Sequence, residues 1–340
     1  MSRIALVAGG GAVKAYAFHV GVAMAMEQDG YFFRSGLRWQ PRTAPDGTPE
    51  VGLYVGSSAG ACVVASLASG HPVANLLQAI RGGSHEVPAF RYRVLYVPVA
   101  PNPARYVGRM VHRLRQGQLR PQHLLEVGGM LSTAGVERYF RRYVLPTNRF
   151  GDLAAELYIA ATQVNGARKV VFGPRDSLGA EGTYDAERAY YDNVPISEAV
   201  AAAVAVPPLF RPYAITSPSS GKRFHYYDGE VRETLSTHVA RDAGADFIVA
   251  SSIWRPYRYD EATGTLAELG MGALTEQAIH QVVGEKVDSD RRRARIHEQL
   301  LELIDELTAR GDLTSHAAER LGVKVRELLG RPVPTLYVSP

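Results

Sequence analysis

The residues best suited to chemistry are two serines enclosed by closely spaced glycines. Positions 56 to 60 read Gly-Ser-Ser-Ala-Gly, directly after the apolar run Leu53–Val55. In a Gly-x-Ser-x-Gly turn the serine lies at a sharp strand-to-helix bend, and the helix that follows directs its amide dipoles at the site. Since the glycines flank the nucleophile at two residues on each side, the spacing selects Ser58 over Ser57. Gly56 and Gly60 then form the nucleophile elbow.

A glycine run near the amino terminus is the second candidate. Gly9, Gly10 and Gly11 lie between a predicted strand, Ile4–Ala8, and a predicted helix, Ala15–Glu27. Consecutive glycines let backbone N–H groups point into a cavity, where they can hold a developing oxyanion. A dinucleotide loop would need a further glycine at position 13 or 14, and neither is glycine; the Walker pattern is absent as well. We therefore favour an oxyanion hole over a phosphate loop.

The third candidate is an aspartate at the end of a predicted strand. Asp228 follows the strand-like segment Gly221–Tyr227 and precedes Gly229. An acid in this place can accept the serine proton directly when its pKa and geometry suit, although Asp-Gly alone is a common turn. Glu230 comes next, and a carboxylate so close would raise the pKa of Asp228 if it pointed inward. We expect Glu230 instead to face solvent or to pair with an arginine, as most charged residues do.

Apolar runs alternate with helical patterns along most of the chain. This alternation predicts β–α units and a mostly parallel sheet covered by helices on both faces, which is a three-layer α/β/α fold. The predicted strands are Ile4–Ala8, Gly52–Val55, Leu157–Ala161, Lys169–Phe172, Gly221–Tyr227, Phe247–Ser252 and Thr335–Val338, and the predicted helices are Ala15–Glu27, Ala59–Ser69, Val136–Tyr143, Ile196–Val204 and Thr237–Ala243.

Composition indicates a globular protein. Of 340 residues, 46% are hydrophobic and 21% charged, which excludes a disordered or membrane-embedded chain. The single cysteine, Cys62, excludes an internal disulfide and a cysteine-rich metal site and suits a reducing compartment, so we expect a cytoplasmic location. The apolar amino terminus contains Lys14 and His19, and therefore resembles neither a signal peptide nor a membrane span.

Two regions interrupt the alternation of strands and helices. We predict a single domain over residues 1–340, with a cap or insertion at 71–130 and a helical extension at 260–330 before the final strand at 335–338. Within the insertion, Pro88–Arg120 mixes arginines with aromatic residues and holds no acid. Such a mixture suits peripheral contact with a membrane surface, whereas the alternative is a solvated insertion whose tyrosines pack on the core. We expect no nucleic-acid partner, and the sequence leaves the oligomeric state open.

The glycine run, the serine elbow and the Asp-Gly turn, taken in this order, resemble the patatin-like phospholipases. The similarity extends between these motifs and covers roughly residues 4–70 and 130–255. The further matching segments are Leu131–Val136, Ala160–Thr162, Val170–Phe172, Ala199–Pro212 with Pro207 and Phe210, and Ala240–Ser251.

The resemblance implies a patatin-like fold and a serine–aspartate dyad. Ser58 would attack an ester carbonyl, Asp228 would take and return its proton, and the amides of the glycine run would hold the oxyanion. Water would then cleave the acyl-enzyme. The implied substrates are lipid carboxylic esters, with phospholipid acyl chains ahead of neutral glycerides, and neither a metal nor a cofactor is expected.

Some features depart from the family pattern and leave alternatives open. The family prefers glycine after the basic residue of its glycine loop, where this chain has Ala15 after Lys14, and Asp-Gly-Gly or Asp-Gly-Ala where this chain has Asp-Gly-Glu. An acyltransferase or thioesterase on the same dyad, or a catalytically silent lipid- or protein-binding module, are the alternatives.

Histidines close to the motifs keep a serine–histidine–acid triad open as well. They are His19, His225 and His238, and the usual order of an α/β-hydrolase triad would select the last. Only nine residues separate it from Asp228, and the dyad explains more of the chain.

Overall fold

A mostly parallel β-sheet runs through the middle of the protein. The computed structural model describes residues 3–83, 88–89, 91, 96–99, 111–112, 114–117, 129–166, 168–174, 188–191, 193–217, 220–232, 234–261, 264–329 and 332–340. Most of the arginine-rich segment Pro88–Arg120 lies outside these residues, so its contact with a membrane remains a prediction.

The strands of the sheet follow the buried apolar runs of the sequence. The strands in chain order are β1 (Ile4–Ala8), β2 (Phe32–Phe33), β3 (Ser35–Leu37), β4 (Gln40–Arg42), β5 (Glu50–Ser57), β6 (Val97–Pro98), β7 (Leu131–Ser132), β8 (Glu156–Gln163), β9 (Arg168–Phe172), β10 (Arg188–Tyr191), β11 (Tyr213–Thr216), β12 (Arg223–Asp228), β13 (Phe247–Ser251) and β14 (Thr335–Val338). The order in the sheet is β10-β9-β8-β5-β1-β13-β14, and β12 pairs with β8, β11 with β12, and β2 with β5.

Helices cover both faces of this sheet. They are α1 (Ala12–Gln28), α2 (Ser58–Ala68), α3 (Val73–Arg81), α4 (Ala134–Tyr139), α5 (Ile196–Ala203), α6 (Thr237–Asp242), α7 (Gly270–Ala309) and α8 (Ser315–Leu329). Alternate residues of β1 pack into two different apolar clusters: Leu6 faces the cluster that holds α1 and α2, and Val7 faces the cluster that holds α6 and Val287 of α7. Strands buried on both faces need continuous apolar runs.

The predicted three-layer α/β/α arrangement is confirmed, with two local corrections. We expected β9 to be a parallel strand, but it pairs antiparallel with β8, because only a short turn connects the two strands and a parallel pair needs a longer crossover. The helix expected over Val136–Tyr143 is α-helical only as far as Tyr139, and Phe140–Val144 continues it as a π-helix.

The carboxyl-terminal part is a helical hairpin followed by a returning strand. Helix α7 has 40 residues and packs against α8, and β14 then adds to the sheet edge in parallel with β13. Among the described residues, no helix combines the length and the apolarity needed to cross a bilayer.

Candidate active site

Ser58 lies at the junction of β5 and α2, as the elbow spacing predicts. Its φ of +50° is in the left-handed region, where a non-glycine residue is strained and the strain often marks a functional position. Gly60 allows the bend because a Cβ there would clash with the carbonyl of Ala8, and its N–H donates to the carbonyl oxygen of Gly9 at 3.0 Å. The elbow therefore packs directly on the glycine run.

The glycine run passes beside the nucleophile. A Cβ placed on Gly10 would lie 2.8 Å from Cβ of Ser58, so only glycine fits here. The three amides predicted to form the oxyanion hole have different partners. Gly9 N–H donates to the Ser251 carbonyl at 3.0 Å, and Gly10 N–H donates to Oε1 of Glu230 at 2.8 Å. Gly11 N–H has no acceptor within the described chain.

Asp228 ends β12 and lies beneath the elbow, almost completely buried. Its N–H donates to the Ala205 carbonyl at 3.1 Å, and its own carbonyl accepts from the Thr162 hydroxyl at 3.1 Å. The following Gly229 is required because a Cβ there would lie 2.5 Å from the Ala160 carbonyl oxygen. These contacts hold the backbone of Asp228 and Gly229 in place at the end of β12.

Burial raises the pKa of Asp228 to about 8, and the neighbouring charge of Glu230 adds to the rise. The Ser58 side chain and the Glu230 N–H act in the opposite direction. The Ser58 hydroxyl is thus close enough to influence this carboxyl, although Oδ2 forms no hydrogen bond of normal geometry within the described chain. The structure therefore brings Ser58 and Asp228 together, with one carboxylate oxygen unoccupied.

Glu230 points into the site, and our expectation that it would face solvent or pair with an arginine is wrong. Its Oε1 accepts from Gly10 N–H and from the Ser57 hydroxyl, and its Oε2 accepts from Trp254 Nε1–H at 3.1 Å. Burial raises the pKa of Glu230, while the bonds from Ser57 and Gly10 oppose the rise. Within the part of the chain that the structure describes, three neutral donors and no arginine hydrogen-bond this carboxylate.

The three histidines near the motifs have other partners. Nδ1 of His19 is 2.6 Å from the Ser251 hydroxyl and Nε2 is 2.8 Å from the Gly9 carbonyl oxygen. His225 is exposed on β12, and Nε2 of His238 lies 3.2 Å from Nζ of the buried Lys169. Within the described chain, neither carboxylate oxygen of Asp228 bonds a histidine.

A largely apolar cavity of about 660 Å³ opens on Ser58. Residues of α1, α2 and the segment after α5 line it, together with Ser58 of the elbow. A second opening, at the amino ends of the strands, holds ion pairs of Arg34 with Glu50 and of Arg3 with Glu156. Ligands of such sheets bind at the carboxyl ends of the strands, where Ser58 lies. The residues around the first cavity are Ala12, Val13, Tyr16, Ser58, Ala59, Cys62, Ile80, Arg91, Tyr96, Val136, Val204, Val206, Leu209 and Phe210.

Trp254 and Ser57 also contribute to the site, and neither contribution was predicted from the sequence. Trp254 lies beyond β13, outside every motif, and no spacing signal connects it to Glu230. Ser57 was set aside in favour of Ser58, yet its hydroxyl bonds Glu230. Within the described residues, no group of three or more histidine, cysteine, aspartate or glutamate side chains could hold a metal ion.

A nucleophile elbow on a mostly parallel sheet is an arrangement typical of serine hydrolases with α/β folds. Comparison with family models makes this class more specific. Residues 6–241 match the model of the patatin-like phospholipases, and the chain belongs to that family. Its members are generally lipid acyl hydrolases, which supports the same activity here at the family level. A comparison with curated proteins gave no match.

Proposed function

We propose that the protein hydrolyses lipid carboxylic esters through a dyad of Ser58 and Asp228. The observation that carries this proposal is the position of Asp228 beside Ser58. The Asp228 carboxyl is buried and its pKa is raised, and Ser58 is held at a φ of +50°. A raised pKa near the working pH makes a carboxylate a better proton acceptor than an ordinary aspartate. The histidine contacts described above leave Asp228 as the base for Ser58.

The reaction has two half-reactions that share the same groups. Ser58 Oγ attacks the ester carbonyl carbon while its proton moves to Oδ2 of Asp228, and the carbonyl oxygen becomes an oxyanion. Collapse of this intermediate breaks the ester bond, and the leaving alcohol takes the proton from Asp228. Water then attacks the acyl-enzyme and gives a proton to Asp228. As the bond between the acyl carbon and Ser58 Oγ breaks, Asp228 returns this proton to Ser58 Oγ, and the carboxylic acid is released.

The cavity supports a long apolar acyl group as the substrate portion next to the ester. Its wall includes Tyr16, Cys62 and Phe210 as well as Ser58. Burial of each methylene of an acyl chain in such a cavity is worth about 0.8 kcal/mol. This favours lipid esters over small polar ones, and among lipid esters we propose phospholipid acyl chains.

The test is release of p-nitrophenol from a medium-chain acyl ester with a chelator present. We expect turnover by the native protein, none above background by Ser58→Ala or Asp228→Ala, and near-native turnover by Ser66→Ala. Ser66 is a matched control because it lies in the same helix and its hydroxyl donates to the Cys62 carbonyl. Phospholipid vesicles follow as substrates.

Three results would redirect the proposal. Faster product formation with an alcohol or thiol acceptor present would identify an acyltransferase, and preferential cleavage of a thioester would identify a thioesterase. Equal inactivity of all four folded proteins would contradict hydrolysis and favour a lipid-binding module.

A further inference from the structure

The Glu230 carboxylate occupies a set of converging hydrogen-bond donors. One oxygen accepts from the Gly10 amide at 2.8 Å and from the Ser57 hydroxyl, and the other accepts from Trp254 at 3.1 Å. Trp254 lies outside the matched family span of residues 6–241. The donor that holds the second oxygen is therefore supplied by a part of the chain that the family model does not include.

This donor set overlaps the position that an oxyanion would need. Donors stabilise a tetrahedral oxyanion at distances of about 2.7–3.1 Å, and Oε1 of Glu230 is already at such a distance from Gly10. A Cβ on Gly10 would lie 2.5 Å from Cγ of Glu230 and 2.8 Å from Cβ of Ser58. The carboxylate and the nucleophile thus border the same face of the glycine loop, and a substrate oxygen cannot bond Gly10 while Glu230 does.

We propose that Glu230 is an internal competitor for the oxyanion hole, which a substrate must displace from the Gly10 amide before Ser58 can react. The proposal rests on the proposed function, because it concerns the same nucleophile. Gly9 N–H bonds Ser251, so the amides of the glycine run that are left for the oxyanion are those of Gly10 and Gly11. Occupation of Gly10 removes one of these two.

Charge strengthens the competition. An oxyanion that forms beside an ionised Glu230 is repelled by it, and the repulsion is large in a site with little water. Ser57 and Trp254 keep the carboxylate in place in the resting protein. Loss of Trp254 therefore weakens the hold on Glu230 without removing its charge, whereas loss of Glu230 removes both the competitor and the charge.

The test is the rate at which a long-chain alkyl fluorophosphonate inactivates the protein. In this reaction Ser58 Oγ forms a bond to phosphorus, the phosphorus–fluorine bond breaks, the serine proton passes to Asp228, and fluoride leaves. We expect Glu230→Ala to react about 100-fold faster than the native protein, the lower end of the roughly 100- to 1,000-fold range that one oxyanion donor is worth. Glu230→Gln and Trp254→Phe should give smaller accelerations.

A matched control separates this effect from a general one. Glu50 is also partly buried and accepts a backbone N–H, that of Ala44 at 2.7 Å, but it lies at the opposite end of the sheet. Glu50→Ala should react at the native rate. All rates are compared at pH 9 and above, where Asp228 is ionised in each variant, so that a changed pKa of Asp228 does not cause the difference.

A second measurement follows the displacement itself. The chain has two tryptophans, Trp39 and Trp254, and in Trp39→Phe only Trp254 emits. We expect the emission of Trp254 to change at the rate at which the Ser58 adduct forms, because displacement of Glu230 breaks its hydrogen bond with Nε1–H of Trp254. This variant keeps Glu230 and tests the proposal even if Glu230→Ala fails to fold.

The outcomes distinguish the two proposals. If the probe labels the native protein and the Glu230 variants equally fast, or the variants more slowly, Glu230 is not a competitor although Ser58 remains the nucleophile. Trp254 emission that stays constant while the adduct forms also overturns displacement. If no variant is labelled, the proposed function fails, and the competitor role fails with it.

Discussion

The backbone amide of Glu230 donates a hydrogen bond of 2.9 Å to Oδ1 of Asp228, whereas Oδ2 of the same carboxyl has no partner within the described chain. One oxygen is thus fixed by the turn that follows β12, and the other is left to exchange a proton with Ser58. The same turn carries the Glu230 carboxylate to the glycine loop. The turn from Asp228 to Glu230 therefore both positions the base and places a second acid in the site.

The pH dependence of kcat/KM should follow the protonation state of Asp228, the proposed base. Because burial raises the pKa of Asp228 to about 8, its ionised, active form accumulates as the pH rises, and we expect kcat/KM to increase from pH 6 to a plateau above pH 8. Glu230→Gln should move the midpoint to lower pH, since the Glu230 charge contributes to the rise. Ester hydrolysis followed by pH-stat titration measures both, and a profile that is flat between pH 6 and 9 would contradict this assignment.

Asp228→Asn should be more stable than the native protein, by a margin that grows with pH. In the folded protein, the pKa of Asp228 is raised above its ordinary value of 3.8. The favourable contribution of the neutral carboxyl to the free energy of unfolding is therefore fully present below pH 3.8, and it is lost as the pH rises through about 8. The difference in unfolding free energy should widen by at most about 1.4 kcal/mol per pH unit in this window. Urea unfolding of both proteins at pH 5, 6, 7 and 8 measures this difference. A difference that stays constant with pH would contradict a raised pKa of the buried Asp228.

His19 should act as a support of the glycine loop and not as a catalytic base. Burial lowers its pKa to about 4, and the neutral ring contacts the Gly9 carbonyl and the Ser251 hydroxyl. We expect His19→Ala to lose about 1–3 kcal/mol of stability, since buried polar groups lose a partner, and to retain a measurable kcat. Complete loss of activity in a folded His19→Ala protein, equal to that of Ser58→Ala, would instead indicate a triad.

The preference of the protein for long acyl chains should depend on the residues at the rim of the cavity. Val206 lines the cavity and is 43% exposed, so Val206→Trp narrows it with little effect on the core. We expect the ratio of kcat/KM for a decanoate over an acetate ester to fall about tenfold, because several methylenes lose their burial. Val323→Trp, equally exposed on α8, is the control, and an unchanged ratio in Val206→Trp would place the acyl chain elsewhere.

Most of the architecture follows from local sequence patterns. Strand β1 was predicted with its observed bounds, and β5 and β8 were predicted within a few residues. Strands that are buried on both faces form continuous apolar runs, which are easily recognised in a sequence. Ser58 was selected by glycine spacing, and the clash that a Cβ would make at Gly60 shows why that spacing is required. Here the local signal and the tertiary requirement coincide.

What could not be predicted depends on contacts between distant segments. Glu230 was expected to face solvent because surface exposure is the commonest state of a glutamate. Its actual position depends on Gly10, which is 220 residues away, and on Trp254. The antiparallel pairing of β9 was missed for a related reason, since an apolar run indicates burial of a strand but not its direction.

The most direct test of the account is to locate the acyl-enzyme. The native protein is mixed with a p-nitrophenyl ester, quenched within one turnover, and analysed by intact mass and by peptide mapping. We predict an added acyl mass on the peptide that contains Ser58, accumulation of this species in Asp228→Asn only at a greatly reduced rate, and no adduct in Ser58→Ala. An acyl group on any other residue, or turnover by Ser58→Ala at the native rate, would contradict the assignment of Ser58 as the nucleophile.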